Sequence, residues 1–262
     1  MIGGVLGEIA AETKKRVARE KNAVSEAQLR ERIKAMPLPL AFKTALSVPG
    51  PRIIAEIKLA SPSEGDLALG ADPVDIARDY AANGAAALSI LTEPAFFKGD
   101  ISFLRRVRGE ISVPLLMKDF LIDEYQILQG RANGADCVLL IAALLGEQKL
   151  KAMLETAHAV GLDALVEVHD EKEMEDALAA NAELIGVNNR NLKTLEIDLD
   201  VSRRLAEHAG KRTLVCESGI STPEHIREFS ELGFQGFLVG TSLIKSGRPG
   251  AALAGLLGQE PV

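Results

Sequence analysis

Several strand-like apolar runs in this chain carry a charged or amide side chain at or near their C-terminal ends. In Ile53-Ile54-Ala55-Glu56-Ile57-Lys58, two-residue alternation puts Glu56 and Lys58 on one face, opposite Ile57. Leu115-Leu116-Met117-Lys118-Asp119 carries an amine near its end, and Glu167 sits between Val166 and Val168. Asn188-Asn189-Arg190 sets Asn188 and Arg190 on a shared face, and Glu217-Ser218-Gly219 closes a further run. A buried ion without partners costs several kcal/mol or is neutralised by a pKa shift, so a strand keeps one for pairing or for chemistry. Glu56 with Lys58 reads either as an ion pair at a rim or as part of a site, and Lys118 either snorkels to solvent or acts. Together, Glu56, Lys58, Lys118, Glu167, Asn188, Arg190 and Glu217 supply the acids, amines and amide that acid–base catalysis requires.

A second pattern points to phosphate. Ser218-Gly219-Ile220 and Val239-Gly240-Thr241-Ser242 follow the last two strand-like runs, where barrels commonly cradle phosphate on backbone N–H groups. Gly219 and Gly240 are expected to let the backbone approach the anion closely. His169 reads as a loop histidine rather than a catalytic one, and His158, His208 and His225 fall on helical stretches away from the site. These residues assemble no metal cluster.

Positioning such groups on one rim needs a closed frame. The strand candidates are Arg52–Lys58, Ala86–Leu91, Leu115–Asp119, Cys137–Ile141, Ala164–Val168, Leu184–Asn188, Thr213–Cys216 and Gly236–Val239. Helical stretches are expected at Pro73–Asn83, Glu124–Asn133, Glu147–Val160, Glu171–Ala180, Ser202–His208 and Pro223–Leu232. Asp72-Pro73 and Thr222-Pro223 have the form of an N-cap followed by proline, while Gly84, Gly134, Gly161 and Gly233 end helices. This alternation predicts an α/β fold, a single (β/α)8 TIM barrel. A doubly wound open sheet is the rival. Even spacing, polar strand ends all along the chain and the lack of a GxGxxG after the first strand favour closure. Residues 1–47 fall outside the repeat. Ile2–Arg19 and Glu26–Ala35 read as a helical N-terminal extension packed on the 48–262 barrel, so residues 1–262 form one domain.

Composition narrows the function classes. The 47% hydrophobic content is ample for a core, and the formal charge of −7 with no dense Lys/Arg stretch argues against nucleic acid. An anionic ligand must therefore be held by locally placed cations. No stretch is apolar enough for a signal peptide or a membrane span, and Cys137 and Cys216 read as buried small side chains. The expectation is a cytoplasmic protein with no membrane or nucleic-acid partner.

On these residues the chain resembles indole-3-glycerol-phosphate synthase. The matching segments run in order: Ile54–Gly65, Leu91–Gly99, Pro114–Gln126, Gly134–Ile141, Ala164–His169, Ile185–Leu192, Glu217–Ile220 and Phe237–Leu243. They cover the whole barrel, and the SPSxG, MKDF-like, LVEVH and NNRNL segments are specific in combination. The resemblance implies ring closure, decarboxylation and dehydration of 1-(2-carboxyphenylamino)-1-deoxyribulose 5-phosphate, a step of tryptophan biosynthesis, with no cofactor and no metal. By similarity, Lys118 is the general acid of ring closure and Glu167 the general base of dehydration. Lys58 helps the leaving hydroxyl or holds the substrate. Glu56 and Asn188 position hydroxyls and lysines, and Glu217 completes the charge network. The phosphate rests on Ser218, Gly219, Gly240 and Thr241 with Arg190 close by, and Ser61 holds the carboxylate end. Phe97, Phe120, Leu139 and Leu192 are candidates for the aromatic pocket or for packing.

Some positions depart from the family pattern: Leu59 stands where a basic residue is common, Met117 for a frequent arginine, Glu64 for lysine, and Thr241 for serine or glutamate. They imply a site short of two nearby cations. The expected partner is a small phosphorylated substrate, with tryptophan-pathway enzymes as possible protein partners and a monomer or weak homodimer as the state. Two other readings compete: phosphoribosylanthranilate isomerase on the same barrel type, and a non-catalytic phosphate-ligand scaffold.

Overall fold

A computed structural model of the protein describes residues 4–192 and 194–262. Eight parallel strands pair in chain order and close on themselves: β1 (Arg52–Ile57), β2 (Ala87–Leu91), β3 (Leu115–Lys118), β4 (Cys137–Ile141), β5 (Asp163–Val168), β6 (Leu184–Asn188), β7 (Thr213–Glu217) and β8 (Gly236–Val239). β8 returns to β1 with Arg52 opposite Gly236 and Ala55 opposite Val239. Closure removes the two unpaired edges that an open sheet would leave. The expected strands stand within one residue at each end.

Two-residue alternation divides every strand. Ile53, Ala55, Ile57, Leu115, Met117, Val166, Ile185 and Phe237 point outward and pack under the helices. Ile54, Leu116, Leu139, Leu165, Leu184, Val215 and Leu238 point inward and fill the cylinder. Two residues further along the same inner faces come Glu56, Lys118, Glu167 and Glu217, with Asn188 four beyond Leu184. The polar site is therefore the top layer of the barrel interior, exchanged from apolar to ionisable side chains.

The lower end is closed by a short helix with no counterpart among the elements read from the sequence, Phe42–Leu46. Phe42 and Leu46 are fully buried and join the inner cluster. Lys43 N donates to Asp163 Oδ2 at the start of β5, and Arg52 Nε at the start of β1 donates to Ala45 O.

Asp72 and Thr222 cap their helices through side-chain oxygens with proline next, as expected. The expected helix at Glu147 begins earlier, at Ala142, and is broken at Gly146, whose φ of 68° and ψ of 165° divide two helical stretches. The stretch expected at Ser202–His208 is Asp200–Ala206. Helices at Ser102–Arg108, Thr241–Lys245 and Pro249–Leu256 were not anticipated. Among the described residues no helix is long and apolar enough to cross a membrane. Both cysteines are buried and unpaired.

Before the barrel, α1 (Gly4–Ala23) and α2 (Glu26–Lys34) pack on its wall. Residues 2 and 3 of the expected first helix lie outside the described residues. Ser25 and Gln28 form a capping box that starts α2. Val17 and Leu29 pack on Tyr125 and Leu128, and the Tyr125 hydroxyl donates to Glu20 O at 2.9 Å and Val24 O at 2.7 Å.

Candidate active site

The inward charges of separate strands meet at the C-terminal rim. Lys118 Nζ, at the end of β3, donates to Glu217 Oε2 of β7 at 2.5 Å and to Glu167 Oε2 of β5 at 3.3 Å. Lys58 Nζ lies 2.8 Å from Glu56 Oε1. Both lysines are largely sheltered, and the three carboxylates are buried. The Glu56–Lys58 pair predicted from alternation exists, and it lines the cavity as well as being a pair.

Mutual pairing decides the protonation states. Burial opposes charge on Lys118, but Glu217, Glu167 and Glu56 outweigh it and hold the ammonium above its ordinary range. Burial likewise opposes charge on Glu167, and Lys118, His169 and Asn188 together pull it well below the usual carboxylate range. Glu56 is lowered because Lys58 and Lys118 overcome its burial. Glu217 goes the other way: burial, reinforced by repulsion from Glu167 and Glu56, exceeds the pull of Lys118 and raises it. The rim thus holds an ammonium between one carboxylate kept ionised and another inclined to hold a proton, an acid–base set in one enclosure.

A cavity of about 280 Å³ opens over this cluster. Of the predicted residues, it is lined by Glu56, Lys58, Lys118, Glu167, Asn188, Arg190 and Glu217. Phe97, Phe120, Leu139 and Leu192 form its apolar part, and Ser218, Gly219, Gly240 and Thr241 its far wall. The Phe97 and Phe120 rings lie 6.0 Å apart, while Leu139 is also part of the inner core. Ser61 is the exception. It lies in an adjoining cavity with Lys58, Phe97, Phe120 and Arg190, where its hydroxyl accepts from Glu64 N at 3.2 Å.

Three expectations change in their physical reason. A Cβ on Gly240 would meet Glu56 Oε1 at 2.7 Å, and one on Gly219 would meet Ile197 and Leu199, each at 2.8 Å. Both glycines line the cavity, and a side chain at either would collide with neighbouring protein atoms. Met117 faces outward, and a Cβ on Gly130 would come within 2.7 Å of its Sδ. Since this position points under the helix layer, Met117 removes no cation from the cavity. Leu59 also lies outside the lining, whereas Glu64 does line it and is paired with Lys245. His169, read as a loop histidine, does follow β5, but it lies against Glu167.

Other positioning residues escaped the sequence reading. Asp119 accepts from Arg16 Nη1 at 3.0 Å and Nη2 at 2.7 Å, from Thr92 Oγ1 at 2.8 Å and from Phe120 N at 2.7 Å. It thereby straps α1 to the residue after Lys118. Asn189 donates to the carbonyls of Glu217 and Ser218 at 3.0 Å each, pinning the turn where Ser218 adopts a φ of 64° and Gly219 one of 88°. Glu93 accepts from the N–H groups of Ala95, Phe96 and Phe97 and so places the Phe97 ring. Val5, Leu6 and Ile9 of α1 line the cavity that holds Ser61.

A family model described as indole-3-glycerol phosphate synthase matches residues 6–256. A protein of that name from Polaromonas naphthalenivorans is 46% identical over 84% of each chain. Another from Magnetococcus marinus is 42% identical over 98% of this chain and 99% of its own. Among solved structures, a 3-hexulose-6-phosphate synthase superposes with a TM-score of 0.65 at 15% identity, over 79% of this chain and 98% of that one; this likeness concerns the fold.

Proposed function

The chain belongs to the indole-3-glycerol phosphate synthase family, carboxy-lyases of tryptophan biosynthesis, and on that premise we propose how its rim makes an indole. In the substrate, 1-(2-carboxyphenylamino)-1-deoxyribulose 5-phosphate, a ring carbon attacks the carbonyl and negative charge builds on its oxygen. A proton donor preorganised in a dry site lowers that barrier. Lys118 is that donor, and its simultaneous contact with Glu167 and Glu217 is the observation that carries the reading. An alkoxide is a far stronger base than an amine, so even an ammonium with a raised pKa gives its proton to it.

Loss of CO₂ restores aromaticity, and dehydration follows. One group must protonate the departing hydroxyl while another takes the proton from the neighbouring carbon. Glu167, held ionised, is the base, and Lys58 assists the hydroxyl or holds the substrate, either lysine being placed for this second transfer. Glu56 and Asn188 orient the lysines and substrate hydroxyls. The phosphate rests on the Ser218-Gly219 and Gly240-Thr241 turns beside Arg190, with the aromatic ring among Phe97, Phe120, Leu139 and Leu192 and the carboxylate end toward Ser61.

The same reading treats 1–47 and 48–262 as one folding unit, in keeping with the Arg16–Asp119 and Tyr125 ties. It also expects a cytoplasmic monomer or weak homodimer working alongside tryptophan-pathway enzymes. Purified protein mixed with the substrate, without added metal, should give indole fluorescence and CO₂ together. An isomerase would release no CO₂, and a scaffold would give neither signal. Either outcome from folded protein overturns the proposal.

A further inference from the structure

Glu167 has a cation beside each of its oxygens. Oε2 faces Lys118 Nζ at 3.3 Å, and Oε1 faces His169 Nε2 at 3.3 Å. The second contact is charge against charge and not an aligned hydrogen bond, since among the described residues Nε2 has no hydrogen-bond partner. On its other side, His169 Nδ1 lies 2.9 Å from Glu173 Oε2, and the same oxygen accepts from the His169 backbone N–H at 2.8 Å. Glu173 is fixed in turn, because its own N–H donates to Asp170 Oδ1, the cap of the helix Glu171–Ala179.

This arrangement determines the state of the ring. An ionised carboxylate only accepts, so a neutral imidazole would present one lone pair to an anion. With Glu167 on one nitrogen and Glu173 on the other, only the doubly protonated ring satisfies both. The balance of fields agrees. Burial works against the charge on His169, but Glu167 and Glu173 exceed it and move the ring up to about 10.

The remaining groups near the pair are accounted for. Around Glu167 stand Lys118 from β3, Glu217 from β7, Glu56 from β1 and Asn188 from β6. Around His169 are Asp170 and Glu173. With it, Asn188, Asn189, Arg190, Glu196, Asp198 and Arg204 line a second cavity of about 450 Å³ that adjoins the first at Asn188 and Arg190.

We propose that His169, clamped as an imidazolium by Glu173, is the standing counter-charge of Glu167 and keeps that carboxylate ionised after Lys118 has given up its proton. This rests on the assignment of Lys118 as acid and Glu167 as base. When the Lys118 ammonium passes a proton to the substrate oxygen, it becomes a neutral amine and stops balancing the buried carboxylates. Without another cation, Glu167 would take up a proton and be unavailable when dehydration needs a base. His169 is thus a positioning residue: it touches Glu167 and not the reacting atoms, and it faces the second cavity.

The test is the pH dependence of kcat for indole formation in the full-length protein. His169→Gln keeps a hydrogen-bonding side chain and removes the charge. An opposite charge at this distance typically holds a carboxylate down by roughly one to three units. The acid limb of kcat should therefore move to higher pH by about one unit or more, with KM changed less than about twofold. Glu173→Gln, which loosens the clamp but keeps the histidine, should move the limb the same way by a smaller amount. It also stands in should His169→Gln not fold. A merely structural role would lower the melting temperature and leave the limb where it is, and that result overturns the inference. Glu167→Gln separates the two levels. Retained turnover removes Glu167 as the base and the inference with it. An inactive Glu167→Gln beside an unmoved limb in His169→Gln sinks only the role of the histidine.

Discussion

A Cβ built on Gly186 would lie 2.1 Å from Oε1 of Glu217. The two residues sit on neighbouring strands, β6 and β7, and the carboxyl leans into the space a side chain would occupy. Oε1 is buried there without a hydrogen-bond partner among the described residues, while Oε2 holds Lys118. The glycine thus serves the site through what it lacks: it lets Glu217 fold inward far enough to anchor the ammonium.

Gly186→Ala should push that carboxyl off Lys118. Displacements near 1 Å in a catalytic constellation cost on the order of 10²-fold in rate, whereas overpacking by one methyl should cost about 1 kcal/mol of stability because the obstructing atom ends a flexible chain. Steady-state kinetics with urea unfolding distinguishes the two effects. Wild-type kcat in the variant would show that Glu217 need not occupy this place.

Lys118→Ala should reduce kcat by roughly 10²- to 10⁴-fold, the usual loss for a general acid, or more if charge stabilisation is lost as well. The fold should survive, because Glu217, already raised by burial, can relieve itself by taking up a proton. A variant that keeps most of its turnover removes Lys118 from the proton-transfer steps.

Arg16→Ala leaves Asp119 buried with, among the described residues, only Thr92 and the Phe120 N–H as partners. Breaking a sheltered ion pair from one side costs on the order of 3 kcal/mol, which denaturant unfolding would read. Detaching α1 also withdraws Val5, Leu6 and Ile9 from the cavity beside Ser61, so KM should rise. Unchanged stability and KM would mean that the strap holds nothing in place.

The stabilising contribution of His169 should depend on pH in a definite direction. Burial opposes its charge, but Glu167 and Glu173 outweigh that cost and raise its folded-state pKa from the ordinary 6.5 to about 10. The contribution is complete below about 6.5 and is lost as pH rises through about 10. The stability difference between wild type and His169→Gln should therefore be largest in mildly acidic solution and shrink toward alkaline pH. A difference that grows with pH contradicts the charged state of the ring.

Charged residues of the rim were readable from the chain because an ion inside an apolar strand stands out against its neighbours. Glu56, Lys118, Glu167 and Glu217 each break such a run, and the shared face expected for Glu56 and Lys58 is the one that meets the cavity. Gly186 gave no such signal, since an absent side chain matters only once a neighbouring strand leans over it. Arg16 and Asp119 are 103 positions apart, and nothing local couples them before the barrel closes. The helix Phe42–Leu46 follows a proline-rich stretch and is too short for a helical period to be recognised. Met117 misled for a related reason: family pattern gives the residue type, but only its outward parity on β3 shows that the cavity never meets it. His169 carried a usable clue in Glu173, four residues on, whose side chain reaches back to the histidine ring.

Phe42 and Leu46, fully buried against the inner cluster, stop the lower mouth of the cylinder. Carbon dioxide set free at the rim therefore leaves upward, on the side where the loops gather, and not down through the packed interior.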